Sequence, residues 1–231
     1  MNIVQNTDEK KVKTISVGVF LLLAVLLILI FAFIYLTHEV LLEKEKHFDA
    51  VEYSFFQSRT TPELTNAVNY LTFFGSTNFL LPAYIFLCVF YFVFKKNSRL
   101  SWNIIAVGLT STAVLHLMKN IFRRPRPEHT LTDNFHGFSY PSGHSFSSFT
   151  FAGIVIYILW QSKLAITWKV IITILLVLFA ASVALSRVYL HVHYASDVLA
   201  GFILSVIWLI ISFSLLNQLN KDKIPVDNNL S

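Results

Sequence analysis

A histidine and an aspartate stand four residues apart in the stretch SRVYLHVHYASD, which begins at Ser186. On a helix, this spacing places His193 and Asp197 on one face, where they touch. A carboxylate that accepts a proton from one imidazole nitrogen fixes the tautomer and leaves the other nitrogen free as a nucleophile. His191 lies close by, but only His193 is four residues before Asp197, so we take His193 as the partner of Asp197. The spacing alone does not decide whether His193 or His144 is the nucleophile.

Basic side chains form the second chemical feature of the sequence. The segment KNIFRRPRP begins at Lys119, and Arg187 stands beside Ser186. The planar guanidinium groups of Arg126 and Arg187 suit bidentate contact with phosphate oxygens, and Lys119 adds a point charge. Too few acids accompany these cations, which indicates an anionic ligand. For Arg123 and Arg124, snorkelling toward lipid headgroups explains the charge as well as binding does.

The stretch SYPSGHSFSSF, which begins at Ser139, has the features of a helix start. Ser142 is a capping residue, and Gly143 has no side chain to block the approach of a ligand to the backbone. A helix N-terminus presents free N–H groups and the positive end of its dipole to an anion. His144 follows directly, and a histidine there is suited to donate a proton to a departing oxygen.

The hydrophobic composition of the chain indicates that membrane-spanning helices position these residues. The chain has 231 residues, of which 55% are hydrophobic and 13% charged, whereas soluble domains carry roughly a quarter charged residues. Six apolar stretches are close in length to the about 20 residues that a helix needs to cross a bilayer. They are 14–37, 77–94, 102–118, 145–160, 165–185 and 198–216. The first lacks a cleavage signal, so we expect it to be retained as a transmembrane helix.

The sequence therefore predicts an all-α membrane protein with six transmembrane helices. We expect one membrane-embedded domain over 1–231, with the motifs concentrated in 119–197. The polar ends at 1–12 and 219–231 are expected to be short disordered tails.

The distribution of positive charge predicts the orientation. With the N-terminus inside, ten of the 18 Lys and Arg residues lie on the inner side and eight on the outer side. Five of those eight belong to the polar segments described above, and excluding them leaves ten against three. The positive-inside rule then places both termini in the cytoplasm and all three polar segments at the outer face.

The connection at 38–76 is too long for a simple turn and carries apolar residues at helical spacing. Thr61, Pro62 and Glu63 fit a helix start, and Gly75 fits a stop. We expect two amphipathic helices here at the outer interface. They either pack on the bundle or form part of a substrate cleft, and the sequence leaves both open.

Together the three polar segments resemble the lipid phosphate phosphatase superfamily, also called type 2 phosphatidic acid phosphatases, which is related to the vanadium haloperoxidases and glucose-6-phosphatase. Its pattern is K-x6-RP, then PSGH, then SR-x5-H-x3-D. This chain matches every spacing, from Lys119 and Arg126 through Pro141 to Ser186 and Asp197.

The resemblance implies a phosphatase that needs no metal and no other cofactor. By this resemblance His193 attacks phosphorus, Asp197 orients His193, and His144 protonates the leaving oxygen. The residues implied to hold the phosphoryl oxygens are Lys119, Arg126, Ser142, Gly143 and Arg187. A divalent metal is also not expected because the cations at this place would repel it.

We therefore expect a multi-pass phosphatase of a plasma membrane, bacterial by its compactness, that acts at the outer face on a lipid phosphate. Undecaprenyl pyrophosphate is the first expected substrate, and phosphatidylglycerophosphate or phosphatidate is the alternative. A non-enzymatic binder or transporter of lipid phosphates would need the cations but neither the His–Asp pair nor His144. Membrane lipids are the expected partners and nucleic acid is not; the oligomeric state and the roles of His191, Arg123 and Arg124 stay open.

Overall fold

The computed structural model describes residues 2–41, 47–132 and 137–221. Every regular element in these ranges is helical. The α-helices are α1 Asn2–Leu41, α2 His47–Gln57, α3 Pro62–Phe73, α4 Thr77–Val89, α5 Ser98–Phe122, α6 Gly143–Gln161, α7 Ile166–Tyr189 and α8 Ala195–Lys221, and a π-helical turn at Phe90–Phe94 continues α4. The all-α prediction is confirmed.

Six helical segments are long and apolar enough to cross a membrane, as predicted. They are Val17–Leu41, Pro62–Phe94, Ser98–Phe122, Gly143–Gln161, Ile166–Tyr189 and Ala195–Leu219. The second segment is longer than predicted because α3 and α4 follow each other across a short turn at Gly75 and Ser76.

Capping residues explain where several helices begin. Thr61 accepts a hydrogen bond from the N–H of Leu64 at 3.3 Å, and Pro62 occupies the first turn of α3. Asn97 caps α5 in the same way, through the N–H of Leu100 at 3.0 Å.

The expected disordered tails need correction where the structure describes them. Helix α1 begins at Asn2, so 2–12 extend the first helix. The reason is that no Gly or Pro interrupts the helical backbone between Asn2 and Val17. At the other end, 219–221 belong to α8, and 222–231 lie outside the described residues.

Helix α6 lies at the centre of the bundle, where it packs mainly against α7 and α8, and α1 packs against α8. Small residues permit close approach between these helices, as is usual in membranes. A Cβ on Gly153 would collide with Cδ1 of Leu209, and one on Gly201 would lie 2.7 Å from the carbonyl oxygen of Ser142. The second contact brings α8 against the beginning of α6.

Helices α2 and α3 pack against the ends of α7 and α8 that carry the motif residues. Phe56 of α2 meets the ring of Tyr189 edge-on, with ring centroids 6.0 Å apart. Both helices keep large side chains exposed, including Phe55 and Tyr70. Two helices are therefore present in the long connection, as expected, and they contact the bundle. Their place at the outer interface stays a prediction.

Candidate active site

His193 and Asp197 contact each other, but the geometry differs from the helical pair expected from their spacing. His193 lies in the turn before α8, and Asp197 is the third residue of that helix. Asp197 Oδ2 lies 3.3 Å from His193 Nδ1 and accepts a hydrogen bond from the N–H of Tyr194 at 3.0 Å. The second bond is half of a capping box, so Asp197 holds the helix start and the histidine together.

The second ring nitrogen of His193 identifies its tautomer. Nε2 of His193 lies 3.2 Å from a terminal nitrogen of Arg126. A guanidinium group only donates, so Nε2 accepts this bond, and Nδ1 carries the hydrogen that is donated to Asp197. Burial lowers the pKa of His193 to about 4, although Asp197 acts in the opposite direction. The imidazole is therefore neutral at neutral pH, with the Nε2 lone pair directed toward a cation.

A tight turn after α7 places His193. The N–H groups of Val192 and His193 both donate to the carbonyl of Arg187, at 3.1 and 3.3 Å. His191, inside this turn, has a φ of 55°, a left-handed conformation that is uncommon for a residue with a side chain. The turn thus brings His193 back toward the end of α7, where Arg187 lies.

The predicted helix start at Ser142 is present. The Ser142 hydroxyl accepts a hydrogen bond from the N–H of Ser145 at 3.5 Å. The N–H of Ser142 donates to the backbone carbonyl of Asp197 at 2.9 Å, which joins the beginnings of α6 and α8. Ser142 and Asp197 are fully buried. The positive end of α6 therefore lies beside the His193–Asp197 pair.

The three predicted cations converge on the same place. Lys119 Nζ donates to the carbonyl of Phe138 at 2.7 Å, and its Cε lies 3.8 Å from where a Cβ on Gly143 would be. Arg126 donates to the carbonyl of Val192 at 2.8 Å in addition to His193.

Arg187 connects the site to α3 through a hydrogen bond. Its side chain is 1% exposed and donates to Oγ1 of Thr72 at 2.7 Å. The sequence contains no signal for Thr72, because an isolated threonine 115 residues before the arginine belongs to no motif.

His144 lies against the turn between α3 and α4. A Cβ on Gly75 would lie 2.9 Å from Cδ2 of His144, so only glycine fits there without displacing a neighbour. His144 is half-buried and within electrostatic range of Arg187, His193, Arg126 and Lys119. The structure therefore brings all eight predicted residues to one end of the bundle, as a histidine pair and an acid surrounded by cations.

Arg124 has a closer relation to the site than the sequence indicated. It donates to Oδ1 of Asp197 at 2.6 Å and to Oδ2 of Asp49 at 2.8 Å. Its side chain is 12% exposed, so snorkelling to the headgroups does not describe it. Arg123, in contrast, is exposed. It donates to the carbonyl of Asn120 at 2.9 Å, and its guanidinium lies over the ring of Phe138, 6.0 Å from the centroid.

No group of three or more His, Cys, Asp or Glu side chains among the described residues is arranged to hold a metal ion. The arrangement suits anions, because three cations, Lys119, Arg126 and Arg187, lie within electrostatic range of His144 at the N-terminus of α6.

Comparisons with known proteins agree with this arrangement. Residues 99–221 match the model of the PAP2 superfamily. The chain is 29% identical over 147 residues to phosphatidylglycerophosphatase B of Bacillus subtilis (strain 168), a match that covers 63% of this chain and 72% of the relative.

Two solved structures have a similar fold. A crystal structure described as the first transmembrane PAP2 type phosphatidylglycerolphosphate phosphatase from Bacillus subtilis has a TM-score of 0.76 at 23% identity and covers 87% of this chain and 98% of its own. The crystal structure of Aquifex aeolicus LpxE has a TM-score of 0.55 at 26% identity and covers 70% of this chain and 92% of its own.

Proposed function

Because the chain belongs to the PAP2 superfamily and is a membrane phosphatase, we propose that it dephosphorylates a lipid phosphate at the outer face of the plasma membrane, with His193 as nucleophile. The observation that carries the proposal is the ring of His193, held between Asp197 on Nδ1 and Arg126 on Nε2. A neutral imidazole with one nitrogen fixed by a carboxylate presents its other nitrogen for attack.

In the first step, Nε2 of His193 attacks phosphorus and the bond from phosphorus to the lipid oxygen breaks. His144 gives its proton to that departing oxygen, so the lipid leaves as an alcohol or, from a pyrophosphate, as a monophosphate. Asp197 stabilises the positive charge that develops on the His193 ring. The product of this step is a phosphohistidine.

In the second step, a water molecule attacks phosphorus and the bond between phosphorus and Nε2 breaks. His144, now neutral, accepts a proton from the attacking water, which restores both histidines and releases inorganic phosphate. Both steps move protons only between histidines, water and substrate, so we expect the reaction to proceed without a metal ion.

The remaining predicted residues stabilise the charge on the phosphoryl oxygens. Arg187 and Lys119 contribute positive charge, and the N–H groups at Gly143 and the start of α6 contribute donors. Arg126 donates to Nε2 of His193 in the structure. Before Nε2 attacks, this N–H must turn from the nitrogen lone pair to a phosphoryl oxygen. Removal of one such preorganised donor commonly costs roughly 10²–10³-fold in turnover.

Two substrates are candidates. Phosphatidylglycerophosphate is favoured by the similarity to phosphatidylglycerophosphatase B of Bacillus subtilis. Undecaprenyl pyrophosphate is favoured by the outer-face orientation that the charge distribution predicts, because a cell-wall carrier recycled on that face would meet the site there. Phosphatidate carries the same phosphomonoester group and belongs in the same comparison.

The proposal takes 1–231 as a single phosphatase domain. Helices α2 and α3 lie outside the stretch that matches the superfamily, yet Asp49 and Thr72 from these helices contact Arg124 and Arg187. The exposed Phe55 and Tyr70 suit the boundary between headgroups and acyl chains. A lipid headgroup at that boundary would lie beside the site without leaving the membrane.

The test is phosphate release by the purified full-length protein in detergent, with a chelator present. The panel contains phosphatidylglycerophosphate, undecaprenyl pyrophosphate and phosphatidate, each also assayed with His193→Ala. Release by the wild type alone supports the proposal, and the lipid with the highest kcat/KM identifies the substrate class. Retained lipid-phosphate binding with no release from any lipid would instead indicate a binder or transporter.

A further inference from the structure

Asp49 of α2 is an acidic side chain that is only 5% exposed. Its Oδ1 accepts a hydrogen bond from the N–H of Ser196 at 3.1 Å. Its Oδ2 accepts from the Ser196 hydroxyl and from Arg124, each at 2.8 Å. A buried carboxylate is costly unless donors satisfy it, and here both oxygens are used. Asp49 lies outside 99–221, the stretch that matches the superfamily.

Arg124 connects this carboxylate to the proposed catalytic pair. One of its terminal nitrogens donates to Asp197 Oδ1 at 2.6 Å and to the Ser196 hydroxyl at 2.8 Å, and the other donates to Asp49. The guanidinium also lies over the ring of Tyr194, 4.0 Å from its centroid. Together these contacts hold the guanidinium group of Arg124 in one orientation.

The carboxylate of Asp197 is in turn fixed on both oxygens. Oδ1 accepts from Arg124, while Oδ2 faces Nδ1 of His193 and accepts from the N–H of Tyr194. The angle at which Oδ2 meets the imidazole therefore depends on where Arg124 and the first turn of α8 lie. Asp49 holds both, because it contacts Arg124 and the backbone and hydroxyl of Ser196.

We propose that Asp49 is a positioning residue for the His193–Asp197 pair and acts through Arg124 and Ser196. The inference rests on the proposed role of His193 as nucleophile. A carboxylate that served only to attach α2 to the bundle would affect stability and leave turnover unchanged. A positioning carboxylate affects the chemical step, because a nucleophile turned away from phosphorus reacts slowly even when the substrate is bound.

The first experiment compares Asp49→Asn with Glu63→Gln. Glu63 is an exposed carboxylate of α3, so its variant removes the same charge without touching the network. For Asp49→Asn we expect kcat to fall about 10- to 100-fold, as for the outer partners that orient histidines in other sites. KM for phosphatidylglycerophosphate and the inhibition constant of inorganic phosphate are expected to stay within about twofold of wild type, because Asp49 is placed away from the phosphate.

A double-mutant cycle tests whether the effect passes through Arg124. Asp49→Asn combined with Arg124→Gln is expected to be little slower than Arg124→Gln alone, because Arg124 transmits most of the effect. Effects on kcat that multiply in the double variant would contradict the route through Arg124.

Several outcomes separate this inference from the proposed function. No turnover by the wild type on any lipid would overturn the function itself. Turnover that His193→Ala abolishes but Asp49→Asn leaves equal to Glu63→Gln would overturn the positioning role alone, even with a lower Tm. If Asp49→Asn does not fold, Arg124→Lys is measured in its place, because lysine keeps the charge but has no planar fork to bridge Asp49 and Asp197. A wild-type kcat in that variant would also overturn the inference.

Discussion

His191 and His193 lie two residues apart in one turn, yet their surroundings differ completely. His193 contacts Asp197 on one nitrogen and Arg126 on the other. The ring of His191 packs against Tyr53, with ring centroids 4.2 Å apart, and its Nε2 has no hydrogen-bond partner among the described residues. Only one of the two imidazoles is therefore arranged as a nucleophile.

Replacement of each histidine tests this difference. His193→Ala is expected to lower phosphate release roughly 10³-fold or more, because it removes the side chain that forms the phosphohistidine in the proposed mechanism. His191→Gly is the matched control and is expected to keep most activity. Glycine adopts the φ of 55° at this position without strain, whereas alanine would not. Equal losses in both variants, measured with the same lipid in detergent, would reverse the assignment of the nucleophile.

The low pKa of His193 has a consequence for stability. Burial lowers this pKa from 6.5 to about 4, so in the intervening pH range the unfolded chain binds a proton that the folded protein does not. Folding therefore loses stability as the pH falls from about 6.5 toward 4. In His193→Gln this contribution is absent.

We expect Tm in detergent to fall further between pH 7 and pH 4.5 for the wild type than for His193→Gln, by a few degrees, since 1 kcal/mol corresponds to about 2–4 °C in a protein of this size. Parallel curves for the two proteins would show that His193 titrates alike in the folded and unfolded chain.

Sequence spacing predicted each proposed catalytic residue but not the partners that hold them. The spacing predicts His193 and Asp197 on one face of a single helix, whereas the contact is made between a turn and the start of α8. Arg124 was left open, because the sequence does not show which acid a cation meets. Asp49 is 75 residues from Arg124, and only the folded chain brings the two together.

At the scale of elements, the site depends on how closely α8 approaches the beginning of α6. A Cβ on Gly201 would lie 2.7 Å from the carbonyl oxygen of Ser142 and 3.2 Å from the backbone nitrogen of Phe146. Both atoms are main-chain atoms, which cannot turn aside as a side chain can. Any side chain at Gly201 therefore displaces the helix start that carries Ser142 and His144.

Gly201→Ala is expected to lower kcat/KM about 100-fold, since displacement of catalytic groups by about 1 Å has effects of this size. The overpacking is also expected to cost about 1–3 kcal/mol of stability. Gly18→Ala is the control, because a Cβ on Gly18 of α1 would have no neighbour within 4 Å. Wild-type activity in both variants would show that α6 and α8 are not held this closely.

Apolar length and helix-capping residues predicted most of the elements. Thr61, Asn97 and Ser142 begin helices because their side chains accept backbone N–H groups, and this chemistry is local in sequence. The contacts of α2 and α3 with the site were not predictable in the same way. Thr72 accepts a hydrogen bond from Arg187, and Gly75 lies against His144. The periodicity of the sequence does not indicate which residues of other helices these two positions contact.

At the scale of the whole molecule, the structure places all predicted site residues at one end of the six spanning segments. Which side of the membrane that end faces depends on charge. The end opposite the site carries basic residues with few acids nearby, such as Lys95, Arg99 and Lys163. By the positive-inside rule we expect that end to be cytoplasmic and the site to face outward.

Cysteine labelling tests the orientation in intact cells. The background is Cys88→Ala, because Cys88 is the single cysteine and a small apolar residue suits its place. Thr130→Cys puts a thiol on an exposed position near the site, and Lys163→Cys puts one on an exposed position at the opposite end. A membrane-impermeant maleimide is expected to label position 130 in intact cells and position 163 only after permeabilisation.

The reverse labelling pattern would place the site in the cytoplasm, and the substrate argument would change with it. Undecaprenyl pyrophosphate released on the outer face would no longer meet the site, whereas a lipid phosphate of the inner leaflet would. Each variant must retain phosphate release to show that its fold is intact. The orientation thus bears on the choice between the two proposed substrates, because both carry a terminal phosphoryl group and the chemistry proposed for His193 does not distinguish them.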